Sequence, residues 1–240
     1  MQSLLPVEVD AHLVELVKAQ HLDPVLDDME RRADALDFPI VGRAVGRFLE
    51  LQARMVGARR VVELGSGFGY SAYWFAGAVS ELSGEVICTD TDPANAELAE
   101  AYLRRAGRWG PVRYLVGDAL EGLASVDGEV DVIYCDIDKA GYPEAWAAAR
   151  ERLRLGGVFL CDNVLWDGRV AGLAPGRGGD GRVAGLAPGS GGDDPEPRTD
   201  PRAAVTDAIV AMTREVAQDP RYVSAINPVR DGVLVALRVA

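Results

Sequence analysis

From Arg60 onward five short β-rich runs, RVVELG, EVICTD, VRYLVGD, VDVIYCD and GGVFLCDN, alternate with Ala- and Leu-rich stretches of helical period. Repeated βα units of this kind build a parallel sheet, because a strand that returns in the same direction needs a crossover long enough for a helix. Each run is almost wholly apolar, as required where helices cover both faces. The last two runs, RYVSAI and GVLVALRV, are separated by turn formers (Asn227, Pro228, Asp231, Gly232), too few for a crossover, so they are expected to form an antiparallel hairpin. Ahead of Arg60 the chain reads as helices: Leu13, Leu16 and Val17, then Val25, Leu26 and Met29, recur at three- and four-residue intervals. At 240 residues the chain fits one α/β domain.

One segment breaks the rhythm. Residues 168–180 (GRVAGLAPGRGGD) are followed by a tandem copy, residues 181–193 (GRVAGLAPGSGGD), which differs only in Ser190 for Arg177. So much Gly, Pro and Asp buries too little apolar surface to offset its ordering entropy, and a loop is expected. The duplication reads as one tolerated in a surface loop, with a lid as the alternative because of its position.

Lys plus Arg number 25 against 37 Asp plus Glu, a net charge of −12 that repels a phosphate backbone. Nucleic acid is therefore not expected as a partner. No apolar run approaches the ~20 residues that span a bilayer, and charges punctuate the N-terminal region, so a cytoplasmic protein without membrane association is expected. Cys88, Cys135 and Cys161 lie far apart, and both histidines, His12 and His21, are near the N-terminus. Neither a zinc site nor a disulfide framework is indicated.

The chemistry-bearing residues cluster at the ends of the β runs. VVELGSGFGYS places Glu63 at a strand end, then Gly65, Gly67 and Gly69 before a helix, where glycines let the backbone turn tightly and approach a ligand. Counting G-x-G-x-x-G from Gly65 puts Tyr70 at the third glycine, which disfavours a dinucleotide. Asp90 closes the second run, where a carboxylate accepts from ribose hydroxyls; Asp92 competes for that role or caps the helix beginning near Pro93. Asp118 and Ala119 follow the third run, placed either for an adenine edge or as a helix cap.

DVIYCDIDKAGY carries Asp136, Asp138 and Lys139 at the end of the fourth run, and VFLCDNVLW carries Asp162 and Asn163 at the end of the fifth. In an open parallel sheet these ends share one rim. Asp136, Asp162 and Asn163 there offer three hard oxygen ligands suited to Mg²⁺ or Ca²⁺. Cys135 and Cys161, one residue earlier on each strand, should face the core instead. Tyr142 and Trp166 read either as walls for an aromatic ligand or as packing aromatics.

With these motifs in place the chain resembles the cation-dependent class I methyltransferases, the group of catechol and caffeoyl-coenzyme A O-methyltransferases, from about Phe38 to the C-terminus. The resemblance implies a Rossmann-like fold: a mostly parallel seven-stranded sheet with an antiparallel C-terminal hairpin strand and helices on both faces. It implies a layout of helical cap (1–57), cofactor and metal half (58–166), duplicated loop (167–198), and C-terminal helix with hairpin (199–240). It also implies S-adenosylmethionine as cofactor, with Val41, Glu63, Gly65, Ser66, Ser71, Asp90, Asp118, Ala119 and Asp136 around it. The D-x-D-K and D-N motifs supply the metal ligands, here Asp136, Asp162 and Asn163 for Mg²⁺, with Ca²⁺ or Mn²⁺ as alternatives. Lys139 falls at the position of the general base, and Lys139 with Asp136 forms the expected catalytic set. The N-terminal ~37 residues and the expanded loop match nothing specific, so acceptor contacts do not carry over to them.

The expected reaction is methyl transfer to a hydroxyl of a small, catechol-like aromatic. A phenol ionises near pH ~10, so cation coordination is needed to favour the phenolate at neutral pH, and Lys139 takes the proton if the cation depresses its pKa. The rivals are an NAD-dependent oxidoreductase and a non-catalytic S-adenosylmethionine-binding protein; base methylation is disfavoured by the charge and by the lack of an Asn-Pro-Pro-Tyr-like run. Apolar N-terminal helices make a homodimer the expected assembly.

Overall fold

The computed structural model describes residues 6–172 and 201–240. Three helices come first: α1 (Val7–Gln20), α2 (Pro24–Leu36) and α3 (Gly42–Met55). α2 starts where the Asp23 side chain accepts from the Val25 amide and Pro24 presets the first helical φ. α3 turns Val45, Leu49 and Ala53 into the core. The buried Arg43 guanidinium donates from Nε to Glu30 Oε1 at 2.7 Å, and the Tyr70 hydroxyl donates to the same oxygen at 2.6 Å. This network fastens α2 and α3 to the helix that opens with Tyr70.

Seven strands follow: β1 (Arg60–Leu64), β2 (Glu85–Asp90), β3 (Val112–Val116), β4 (Val130–Cys135), β5 (Leu153–Cys161), β6 (Tyr222–Asn227) and β7 (Val233–Arg238). Their order is β3-β2-β1-β4-β5-β7-β6, with β1 to β5 parallel and β7 antiparallel to both β5 and β6. The helices α4 (Tyr70–Val79), α5 (Pro93–Arg105), α6 (Ala119–Ala124), α7 (Tyr142–Ala149) and α8 (Pro201–Gln218) complete the units. Alternation along the strands feeds two cores. Val61, Val132 and Val158 face α3 and α4, whereas Val62, Ile133 and Phe159 face α7 and α8. In the second core Trp146 lies 4.8 Å from Tyr222 and 5.2 Å from Phe159, centroid to centroid. Helices thus cover both faces, as the apolar runs require. Among the described residues no helix is long and apolar enough to cross a membrane.

Of the tandem repeat only residues 168–172 are described, and 168–171 belong to a 3-10 segment, Trp166–Ala171, instead of a loop. The rest of the repeat lies outside the described residues. β1 and β4 are neighbours from which the strand order runs outward in opposite directions. A crevice is expected at the carboxyl ends of strands flanking such a switch point.

Candidate active site

The crevice is a cavity of about 290 Å³ at those strand ends. One wall is the loop after β1. Gly65, Gly67 and Gly69 have φ of +83°, +48° and +87°, conformations that glycine adopts without steric penalty. A Cβ on Gly65 would meet the Asp136 carbonyl oxygen at 2.6 Å. The Asp136 amide also donates to the Leu64 carbonyl at 2.8 Å, so the two loops are packed backbone to backbone. Gly65→Ala is therefore expected to destabilise the fold by roughly 1–3 kcal/mol through strain and forced separation. Loss of cofactor-dependent thermal stabilisation should accompany it; an alanine variant with unchanged Tm and an unchanged cofactor shift would refute this account.

Asp90 holds the same loop from β2. Its Oδ2 accepts from the Gly67 amide at 3.0 Å, and its Oδ1 accepts from the Asp92 amide at 2.9 Å and Asn95 Nδ2 at 3.1 Å. Asp92 caps α5 through the Ala94 amide, the lesser of its two expected roles. Glu63 is fully buried beneath the cavity floor. Its Oε2 accepts from Cys88 Sγ at 3.3 Å, while Oε1 has no hydrogen-bond partner among the described residues. Burial pushes its carboxyl up to about 7, against partial relief from Ser71 and Ser66. The same cause lifts Asp231 to about 6.

Raised carboxyl values mean that the folded state holds these protons more tightly than the unfolded chain does. Their stabilising contribution is complete below the unfolded values of 4.5 and 3.8 and is lost as pH rises toward about 7 and about 6. The cofactor-free protein should lose stability between those limits, by at most about 1.4 kcal/mol per pH unit for one group. His21, whose pKa burial and Arg108 lower, acts in the opposite sense. The diagnostic measurement is Tm against pH for wild type and Glu63→Gln: the variant's curve should fall less, and parallel curves would show that Glu63 titrates normally.

The opposite wall comes from β4 and β5. Asp136, Lys139, Asp162 and Asn163 all line the cavity. Asp162 accepts from the Asn163 amide at 2.8 Å through Oδ1 and from the Tyr134 hydroxyl at 3.4 Å through Oδ2. Burial, and then the charge of Asp162, push the Asp136 carboxyl up, and burial does the same to Asp162. Asn163 adopts a left-handed φ of +56°, and its buried Oδ1 has no hydrogen-bond partner among the described residues. The set therefore pairs two carboxylates with one amide oxygen; among the described residues no cluster of three or more His, Cys, Asp or Glu could hold a metal. Lys139 forms no ion pair with Asp138. Its Nζ stands 5.8 Å from the Tyr142 ring centroid and 5.5 Å from that of Trp166. Tyr142 is itself a core residue whose hydroxyl donates to the Asp162 carbonyl at 2.9 Å. Cys135 and Cys161 face each other in register and belong to the core beneath.

Of the expected residues, Val41, Gly65, Ser66, Ser71, Asp90, Asp136, Lys139, Asp162 and Asn163 line one cavity. Glu63, Asp118 and Ala119 do not; Glu63 is buried in β1, and Asp118 is exposed and accepts from the Leu120 and Glu121 amides as the cap of α6. Two segments escaped the sequence reading. Phe38, Pro39 and Ile40 close the cavity from the α2–α3 connection, and Arg230 and Asp231 enter from the β6–β7 turn. Asp231 Oδ1 accepts from the Asp167 amide at 2.6 Å, and its carbonyl accepts from Leu165 at 2.9 Å, stapling the segment after Asn163. The run PVRDG reads only as turn chemistry, so nothing local marks Arg230 or Asp231.

The family described as O-methyltransferase matches residues 18–239. A protein of Mycobacterium tuberculosis named catechol O-methyltransferase is 33% identical over 168 residues, 69% of this chain and 75% of that one. Another of that name, from Niastella koreensis, is 35% identical over 129 residues; the match spans 52% of this chain and only 58% of that relative. An O-methyltransferase from Streptomyces achromogenes involved in tomaymycin synthesis, solved in complex with SAM, shares 25% identity and a TM-score of 0.72 over 92% of both chains. The glycine loop, the switch-point cavity and a family match across nearly the whole length agree, and the chain belongs to the class I S-adenosylmethionine-dependent O-methyltransferases.

Proposed function

We propose that this enzyme methylates a hydroxyl of a small, catechol-like aromatic acceptor with the help of a divalent cation. The observation that supports this reading is that Asp136, Asp162 and Asn163 line one cavity, with both carboxyls pushed up by burial and Asn163 Oδ1 without a hydrogen-bond partner among the described residues. Three hard oxygens of this kind fit Mg²⁺, with Ca²⁺ or Mn²⁺ as alternatives. Such an ion would supply a Lewis acid that favours the ionised phenol. The names of the M. tuberculosis and N. koreensis relatives support the acceptor class.

The chain's own groups do the rest. Lys139, held between two aromatic rings and free of Asp138, accepts the hydroxyl proton at Nζ. The acceptor oxygen then forms its bond to the methyl carbon as the carbon–sulfur bond breaks. The buried Glu63 carboxylate, whose Oε1 has no hydrogen-bond partner among the described residues, suits the ammonium of the methionine portion, while Val41, Gly65, Ser66 and Ser71 contour the wall on that side and Asp90 suits the ribose. Ala119, beside its cap Asp118, is the remaining candidate for the adenine edge. Alignment of the two reactants contributes as much as proton removal.

A panel of vicinal diols incubated with labelled cofactor tests the reading. Activity should vanish in chelator and return with Mg²⁺, whereas diol methylation indifferent to chelator would remove the cation from the proposal. The free, buried Cys88, Cys135 and Cys161 suit a reducing cytoplasm. The exposed Val223 and Leu237 on β6–β7, with Leu51 and Met55 on α3, suit a homodimer.

A further inference from the structure

Arg230 occupies a position that local structure alone does not explain. It is a non-glycine residue with φ of +50° in the β6–β7 turn, a conformation that persists where surrounding structure enforces it and that gathers at functional sites. The turn is enforced: Asn227 Oδ1 accepts from the Val229 amide at 3.1 Å, and the Asp231 contacts pin its far side. The half-buried side chain runs into the cavity and packs on Gly42, where a Cβ would meet Arg230 Nη1 at 2.5 Å. Glycine there leaves the space that the guanidinium fills.

The guanidinium is also short of partners. It carries five N–H donors in a planar fork, and its side-chain hydrogen bond among the described residues is Nη1 to the Ile40 carbonyl at 2.8 Å. Five aspartates line the same cavity, yet among the described residues none forms an ion pair with Arg230. Each is engaged elsewhere. Asp90 holds the glycine loop, Asp138 accepts from Ala140, Asp231 accepts from Asp167, and Asp136 and Asp162 belong to the proposed cation.

We infer that Arg230 selects acceptors bearing a carboxylate, which its open edge receives while the diol end sits toward Asp136, Asp162 and Lys139. The inference rests on the proposed diol methylation and narrows it to hydroxylated aromatic acids. A planar fork matches a carboxylate in two parallel hydrogen bonds, a geometry that lysine does not reproduce.

The test compares protocatechuate, catechol and dopamine as acceptors, with Mg²⁺ present, in wild type, Arg230→Gln and Arg230→Glu. Glutamine keeps a donor for the Ile40 carbonyl but has no charge. The readout is the ratio of kcat/KM for protocatechuate to that for catechol, in which any general disturbance of the Ile40 loop cancels. Wild type should favour protocatechuate roughly 10- to 100-fold, the range expected of a charge-assisted hydrogen bond. Arg230→Gln should bring the ratio near one, and Arg230→Glu should move preference to dopamine. Equal wild-type use of protocatechuate and catechol overturns the inference while leaving diol methylation standing. So does a ratio that survives in Arg230→Gln while calorimetric affinity for S-adenosylhomocysteine falls, which would give the guanidinium to the cofactor's carboxylate. No methylation of any diol would overturn the proposed function itself.

Discussion

Replacing Lys139 by methionine is expected to lower kcat by roughly 10²–10⁴-fold, the usual contribution of a positioned general base. Methionine retains an apolar stem to lie between Tyr142 and Trp166, so packing is largely preserved while the nitrogen is lost. Cofactor affinity should change little, because the cofactor contacts proposed for Glu63, Ser71 and Asp90 come from β1, α4 and β2, away from Lys139. Two further readouts separate a proton acceptor from a structural lysine. Small primary amines should restore part of the rate, and the deficit should narrow as pH rises toward the diol's own ionisation near ~10. A variant with a rate within threefold of wild type, or a deficit that is independent of pH and untouched by amines, would take the proton-transfer role away from Lys139.

Asp162→Asn should have effects of opposite sign on activity and stability. Activity should fall by roughly 10³-fold or more, since one of three proposed ligands loses its charge and several kcal/mol of charge stabilisation depend on the set. Stability without added cation should rise. The wild-type protein buries two carboxylates at this rim, each pushed up by burial, with the charge of Asp162 raising Asp136 further, and the asparagine oxygen still accepts from the Asn163 amide. A gain of a few degrees in Tm is expected, at about 2–4 °C per kcal/mol for a chain of this size. Added Mg²⁺ should stabilise wild type and not the variant. A destabilised variant that still responds to Mg²⁺ would contradict both the repulsion and the ligand assignment. Stability sacrificed at a working site is a common trade in enzymes.

Several features were legible because they are local or periodic. The apolar runs ending at Leu64, Asp90, Cys135 and Cys161 announced strands, and the short spacer after Asn227 announced the hairpin. The acidic residues that follow β4 and β5 were placed on one rim by topology, and they line the same cavity. Asp118 was ambiguous because a strand-end aspartate that opens a helix satisfies both capping and ligand patterns; its hydrogen bonds to Leu120 and Glu121 favour the cap. The repeat was read as loop; at its opening Gly168, with Asp167 before it, adopts left-handed φ that interrupts the short 3-10 segment Trp166–Ala171, which is tied to Asp231. That tie spans 64 residues, a separation no local pattern records.

By itself, the amino-acid order determined the α/β architecture, the glycine turn and the identity of the oxygen-rich strand ends, because these follow from side-chain periodicity, backbone freedom and chemistry within a few residues. Only the tertiary structure decided that Phe38–Ile40 closes the cavity, that Asp231 staples the segment after Asn163, and that Arg230 stands open-handed beside Gly42. Those roles depend on contacts between segments far apart in the chain. The turn residues of PVRDG acquire them only when β7 pairs with β5 and carries the turn to the rim.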